Sequence, residues 1–82
     1  MRNTMPPAFK VIGQPIVVAE KARAVEALRI SWAQRQDEAE PHLDLRRWTL
    51  CEDGTETPHR GGLYLSRAEA AKLRDALNAI EL

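Results

Sequence analysis

The chain has 82 residues, with twelve Lys and Arg balanced by twelve Asp and Glu, so its formal charge at pH 7 is +0. That length allows one domain at most, and the balance excludes bulk attraction to nucleic acid or to an anionic membrane. A single cysteine, Cys51, excludes an internal disulfide and fits a reducing compartment. No apolar run approaches the roughly 18 residues of a membrane span, and the N-terminus lacks a signal-peptide core. The expectation is a soluble, cytoplasmic protein with no membrane partner. Charge is unevenly spread, however. Asp37, Glu38 and Glu40 share one predicted turn and Glu52, Asp53 and Glu56 another, while Arg29, Arg35, Arg46 and Arg47 fall on predicted strands.

Residues 1–8 (MRNTMPPA) lack periodicity and read as a flexible tail preceding a single domain over 9–82. Phe9 to Val18 is β-branched and interrupted by Gly13 and Pro15. It predicts one short strand, or two fragments around a bend, near a sheet edge where proline is tolerated. Ala19 to Gln36 supports two readings. Strong helix formers and the stripe Val18, Ala22, Val25, Leu28, Trp32 favour helix through Leu28, a short helical insertion near 19–28. Alternation favours strand after it, with Leu28, Ile30 and Trp32 on one face and Arg29, Ser31, Ala33 and Arg35 on the other.

Asp37 to Pro41 predicts a turn, because Pro41 restricts the residue before it. In the strand Leu43–Leu50, Leu43 and Leu45 alternate with His42, Asp44, Arg46 and Trp48. The leucine pattern then slips, and a bulge near Arg47–Trp48 would restore it. Asp53-Gly54 marks a hairpin. The elbow Pro58–Gly62 leads into Gly62–Leu65, where Leu63 and Leu65 face the core and Tyr64 faces outward. Ser66 with Glu69 forms a capping box opening a helix that runs to the C-terminus, with Ala70, Leu73, Leu77 and Ile80 as its apolar stripe. This helix is expected to cover the leucine face of the sheet.

If both central runs are strands, the uncovered face collects Arg29, Arg35, Arg46, Trp48 and Tyr64, with Arg60 arriving from the elbow. Aromatic rings among guanidinium groups suit single-stranded nucleic acid, whose bases stack while arginines track phosphates. Duplex DNA fits less well, since no basic helix is available to enter a groove. The competing reading is a solvated face with Trp48 in a subunit or partner interface. The glycine pair Gly61-Gly62 reads either as backbone left open to a phosphate or simply as a loop re-entering the sheet. Catalysis is poorly supported: His42, His59 and Cys51 are the candidate nucleophile, base or metal residues, and none has ligand spacing. No cofactor is implied.

The run Leu43-Asp44-Leu45-Arg46-Arg47-Trp48, then Asp53-Gly54, then Pro58-x-Arg60-x-Gly62-Leu63-x-Leu65 and a capped helix resembles the transcriptional positive-cofactor-four family of coactivator-type single-stranded-DNA-binding domains. The match spans about residues 42 to 80. The resemblance implies an α+β fold, a curved four-stranded antiparallel sheet followed by one C-terminal helix (ββββα). It also implies a homodimer with Leu73, Leu77 and Ile80 in the helix core or interface, and sheets that cradle single-stranded DNA, with RNA as the alternative. Leu28–Gln36 would then be a strand beside Leu43–Leu50. Arg46 matches the family's strand arginine, Trp48-Thr49 a usually aromatic pair, and Arg60 the basic residue of the elbow; Arg29 and Arg35 have no individual match. The chain departs from the pattern at Gly61, commonly basic, at Thr49, in the acidic 37–40 turn and in the alanine-rich 19–28 segment. The sequence-based expectation is a transcription or replication accessory protein in which Arg29, Arg35, Arg46 and Arg60 hold phosphates while Trp48 and Tyr64 stack bases. The rival is a protein-interaction module using the same sheet face.

Overall fold

A computed structural model describes residues 9–20 and 25–82. Four strands, β1 (Phe9–Glu20), β2 (Glu26–Arg35), β3 (His42–Leu50) and β4 (Glu56–Leu65), precede one helix, α1 (Arg67–Ala79). All neighbours are antiparallel in the order β1-β2-β3-β4, and the sheet is not closed. This is the expected ββββα arrangement.

The ambiguous segment is extended at both described ends: Ala19 and Glu20 belong to β1, and Glu26–Leu28 to β2. The helix expected from composition is therefore corrected to strand there, while residues 21–24, like the expected tail 1–8, lie outside the described residues. Cross-strand pairing overrides helix propensity at these positions, with Leu28 opposite both Ala19 and Arg47. β1 is one long edge strand rather than a short one. Its register shifts between Ile12 and Ile16 and again between Val17 and Ala19, and Gly13 at φ 75° accommodates the first bend.

The irregularity expected near Arg47–Trp48 is present between the pairs Arg46–Gly62 and Trp48–Pro58, but the additional residues belong to β4. β3 itself runs in unbroken register against β2 from His42 to Thr49. The Pro58–Gly62 elbow is thus a bulged section of a continuous strand, not a loop between strands.

Alternation from this register divides the sheet. Leu28, Ile30, Trp32, Leu43, Leu45, Leu63 and Leu65 share one face. Arg29, Ser31, Ala33, Arg35, Asp44, Arg46, Trp48 and Tyr64 share the other. Helix α1 begins with the expected reciprocal box: Ser66 Oγ accepts from the Glu69 N–H at 3.1 Å, and Glu69 Oε1 accepts from the Ser66 N–H at 2.9 Å. Such a cap stabilises the helix by about 1 kcal/mol.

The helix covers the leucine face only in part. It touches β3 and β4, none of its residues is fully buried, and Leu63, Leu77 and Ile80 remain about half exposed. Among the described residues Ala33 is the only fully buried apolar side chain, accompanied by the buried polar groups Ser31, Asp44 and Arg46. The isolated chain therefore has a polar centre and a largely open apolar face. No described helix is long and apolar enough to cross a membrane.

Candidate nucleic-acid interface

The face opposite α1 is organised around Asp44 and Arg46. Residues two apart on a strand point the same way, so the sequence places this acid and base side by side. Arg46 Nε and Nη2 both reach Asp44 Oδ1, at 2.7 and 2.6 Å. Nη1 donates to the backbone carbonyl of His59 at 2.7 Å and lies 3.4 Å from that of Arg60. The side chain of Asp44 is 0% exposed and that of Arg46 only 6%. The Arg46 guanidinium, which also lies over Phe9 with Cζ 5.1 Å from the ring centroid, thus ties β3 to the bulge of β4. Its hydrogen-bonding fork is directed into the protein. Asp44 Oδ2 is enclosed without a hydrogen-bond partner among the described residues. Burial pushes the Asp44 carboxyl above its ordinary value, against the pull of Arg46.

Arg29 lies directly opposite Arg46 on β2. Its Nη1 donates to Glu56 Oε1 at 3.1 Å and its Nη2 to Oε2, and its Cζ sits 5.2 Å from the Trp48 ring centroid. The Arg29 pair holds the Glu56 carboxyl below its ordinary range. A cavity of about 230 Å³ opens here, with Val17, Val25, Trp48 and Leu50 among its walls.

At the other end of the face, Tyr64 carries a second cluster. Its hydroxyl donates to Glu38 Oε1 at 2.6 Å and lies 3.3 Å from the carbonyl oxygen of Ala33. Its ring stacks on His42, with centroids 4.7 Å apart and 4° between planes, while Arg35 Cζ is 4.6 Å from the ring centroid. Phe9 packs beside it at 6.2 Å. Glu38 also accepts from the Arg35 backbone N–H at 2.9 Å. Tyr64, expected as an open stacking ring, is already stacked within the protein.

Burial first, and then the hydrogen bond to Glu38, push the Tyr64 phenol up to about 12, while the same hydrogen bond holds Glu38 below its ordinary value. A phenol whose folded pKa exceeds its unfolded value of 10.0 adds stability that is complete below pH 10 and lost as pH rises toward 12. Tyr64 is the only tyrosine, so ultraviolet difference absorbance reports it alone. Its midpoint is expected well above 10.0 and is expected to drop toward that value in Glu38→Gln; a wild-type midpoint near 10.0 would remove the Tyr64–Glu38 bond from the account.

Arg60 is exposed in the β4 bulge, and its side chain, like that of Arg47 on the leucine face, pairs with none of the described residues. The structure thus brings Arg29, Arg35, Arg46, Trp48 and Tyr64 onto one face with Arg60 at its rim. Leu73 of α1 is half-buried, while Leu77 and Ile80 stand open. What sequence reasoning missed is the acids. Asp44, Glu38 and Glu56 each engage an expected site residue. Only Asp44 was visible in advance, through its two-residue spacing from Arg46. Among the described residues, no cluster of three His, Cys, Asp or Glu residues is placed to hold a metal ion. No protein-family model, curated protein or solved structure matches this chain.

Proposed function

We propose that the chain is a homodimeric single-stranded-DNA-binding protein with little sequence preference, a cytoplasmic accessory factor of transcription or replication. It acts by binding rather than by catalysis. The observation that carries this reading is the collection of arginine and aromatic side chains on the sheet face opposite α1, with Arg60 exposed in the β4 bulge and paired with none of the described residues. The resemblance over residues 42 to 80 to the positive-cofactor-four family points the same way. The half-exposed Leu63, Leu77 and Ile80 supply an apolar surface for a second copy to cover, so dimerisation and DNA binding would use opposite faces.

In this reading the guanidiniums differ in role. Arg60 and Arg35 contact phosphates directly, Trp48 receives a base once its ring is exposed, and Arg46 shapes the face from within. A second reading, a protein partner on the same face, is favoured by the apolar rim of Val17, Val25 and Leu50 beside Trp48.

Fluorescence anisotropy of a labelled oligonucleotide about 20 nucleotides long, at low and moderate salt, separates the two. Affinity for DNA should fall with salt at a log–log slope of about −0.7 per contacted phosphate. Arg60→Ala should flatten the slope by about 0.7. Trp48→Ala should lower affinity roughly 5- to 150-fold, the equivalent of one lost base stack. Absence of binding at low salt by folded protein overturns the DNA reading and leaves the face to a protein partner.

A further inference from the structure

The two facing arginines of the sheet are restrained in opposite ways. Arg46 is held by Asp44, wholly buried, and by backbone carbonyls, so nothing in solution can replace its partners. Arg29 is held across its fork by Glu56, whose side chain is 44% exposed while that of Arg29 is 16% exposed. Both residues line the Trp48 cavity, and the carboxylate is the more solvent-exposed partner of the pair. Arg29 Nε is enclosed and has no partner among the described residues, so among them the guanidinium makes its hydrogen bonds to Glu56.

A carboxylate and a phosphodiester present the same bidentate acceptor edge to a guanidinium. Glu20 and Glu26 line the same cavity, so among its described lining residues three carboxylates accompany one guanidinium. The same cavity holds the Trp48 ring, a surface suited to stacking a base.

Building on the DNA-binding reading above, we infer that Glu56 is a displaceable carboxylate latch, occupying the Arg29 fork that a backbone phosphate would take and keeping Arg29 over the Trp48 ring. Engagement of a strand exchanges one anion for another. Phosphate replaces Glu56, Arg29 moves off the ring, and Trp48 becomes available to a base. An exposed carboxylate is a weak competitor, so a polyanion can displace it, whereas Asp44 cannot be displaced from Arg46. The latch favours nucleic acid, which offers phosphate and base together, over isolated anions that offer only the first.

The anisotropy titration is run on Glu56→Gln and Glu56→Ala alongside Arg60→Ala and the double variant Arg29→Gln/Glu56→Gln. Both Glu56 variants should bind roughly 1.5- to 5-fold tighter at low salt, the weight of one exposed ion pair. Their salt slope should steepen by about 0.7, one additional phosphate. Adding Arg29→Gln should cancel both gains. If Arg60→Ala weakens binding while the Glu56 variants leave affinity and slope unchanged, the latch is overturned and the DNA-binding reading stands. If neither wild type nor the Glu56 variants bind at low salt, both fall. Binding that emerges only when Glu56 is replaced also overturns the latch, because a carboxylate that the wild-type protein never releases to a strand is not displaceable.

Discussion

Asp44→Ala is expected to lose about 3–5 kcal/mol of folding stability, because it leaves a buried guanidinium without its counter-charge. Arg46 donates two of its hydrogen bonds to Asp44 Oδ1, and its other hydrogen bonds among the described residues go to the carbonyls of His59 and Arg60. Small domains are stable by about 5–15 kcal/mol in total, and one with so few buried apolar side chains belongs at the lower end. Urea unfolding should therefore show Asp44→Ala close to complete loss of the native state. A loss below about 1 kcal/mol would mean that the guanidinium escapes to solvent and that Arg46 is not a fixed strut.

The reverse truncation behaves differently. A carboxyl can neutralise itself by taking a proton, whereas a guanidinium cannot. In Arg46→Met the Asp44 pKa, already above its ordinary 3.8 through burial, rises further. A raised folded pKa gives stability that is complete below the unfolded value and lost as pH rises through the folded one. Arg46→Met should thus lie closest to wild type at about pH 4 and fall behind it toward neutrality. Any loss of DNA binding in Arg46 variants should track their unfolded fraction, in contrast to Arg60→Ala, which alters the salt slope of a fully folded protein.

Most of the fold was legible because its signals are local. The Ser66–Glu69 box, the Asp53-Gly54 turn and the leucine alternation of β3 each rest on spacings of a few residues, and each is present. Segment 19–28 was not legible, since alanine-rich composition reports helix propensity while the pairing of Leu28 with Ala19 and Arg47 is a property of the assembled sheet. The same division holds for the site. Alternation correctly groups Arg29, Arg35, Arg46, Trp48 and Tyr64, yet it says nothing of which guanidiniums are occupied. Glu56 reaches Arg29 from 27 positions away, and Glu38 reaches Tyr64 from 26. Those contacts depend on the register of three strands, which a two-residue period does not encode. The residues grouped as acidic turns supply side chains that organise the face, Glu38 to Tyr64 and Glu56 to Arg29.

The glycine pair provides the sharpest test of that architecture. Gly13 at φ 75° and Gly54 at φ 88° have left-handed backbones; Gly61 and Gly62 do not. Neither member of the pair is required by backbone conformation, and the two differ only in surroundings. A Cβ added to Gly61 meets nothing within 4 Å. A Cβ added to Gly62 falls 2.7 Å from Arg46 Cβ, 3.0 Å from the Leu45 carbonyl oxygen and 3.2 Å from Arg46 Cζ. Gly62 is the Cα partner of Arg46, and the arginine side chain passes over it to reach the carbonyls of the bulge. The first obstruction is a Cβ, which cannot rotate away, so the strand pair itself must yield. Gly62→Ala should therefore cost about 1–3 kcal/mol, and Gly62→Val more, whereas Gly61→Ala should stay within about 0.5 kcal/mol of wild type. If the pair existed instead to let a phosphate approach the backbone, both alanine variants would weaken oligonucleotide binding at unchanged stability. Paired urea unfolding and anisotropy measurements on the two variants decide between a glycine kept for Arg46 and a glycine pair kept for the ligand.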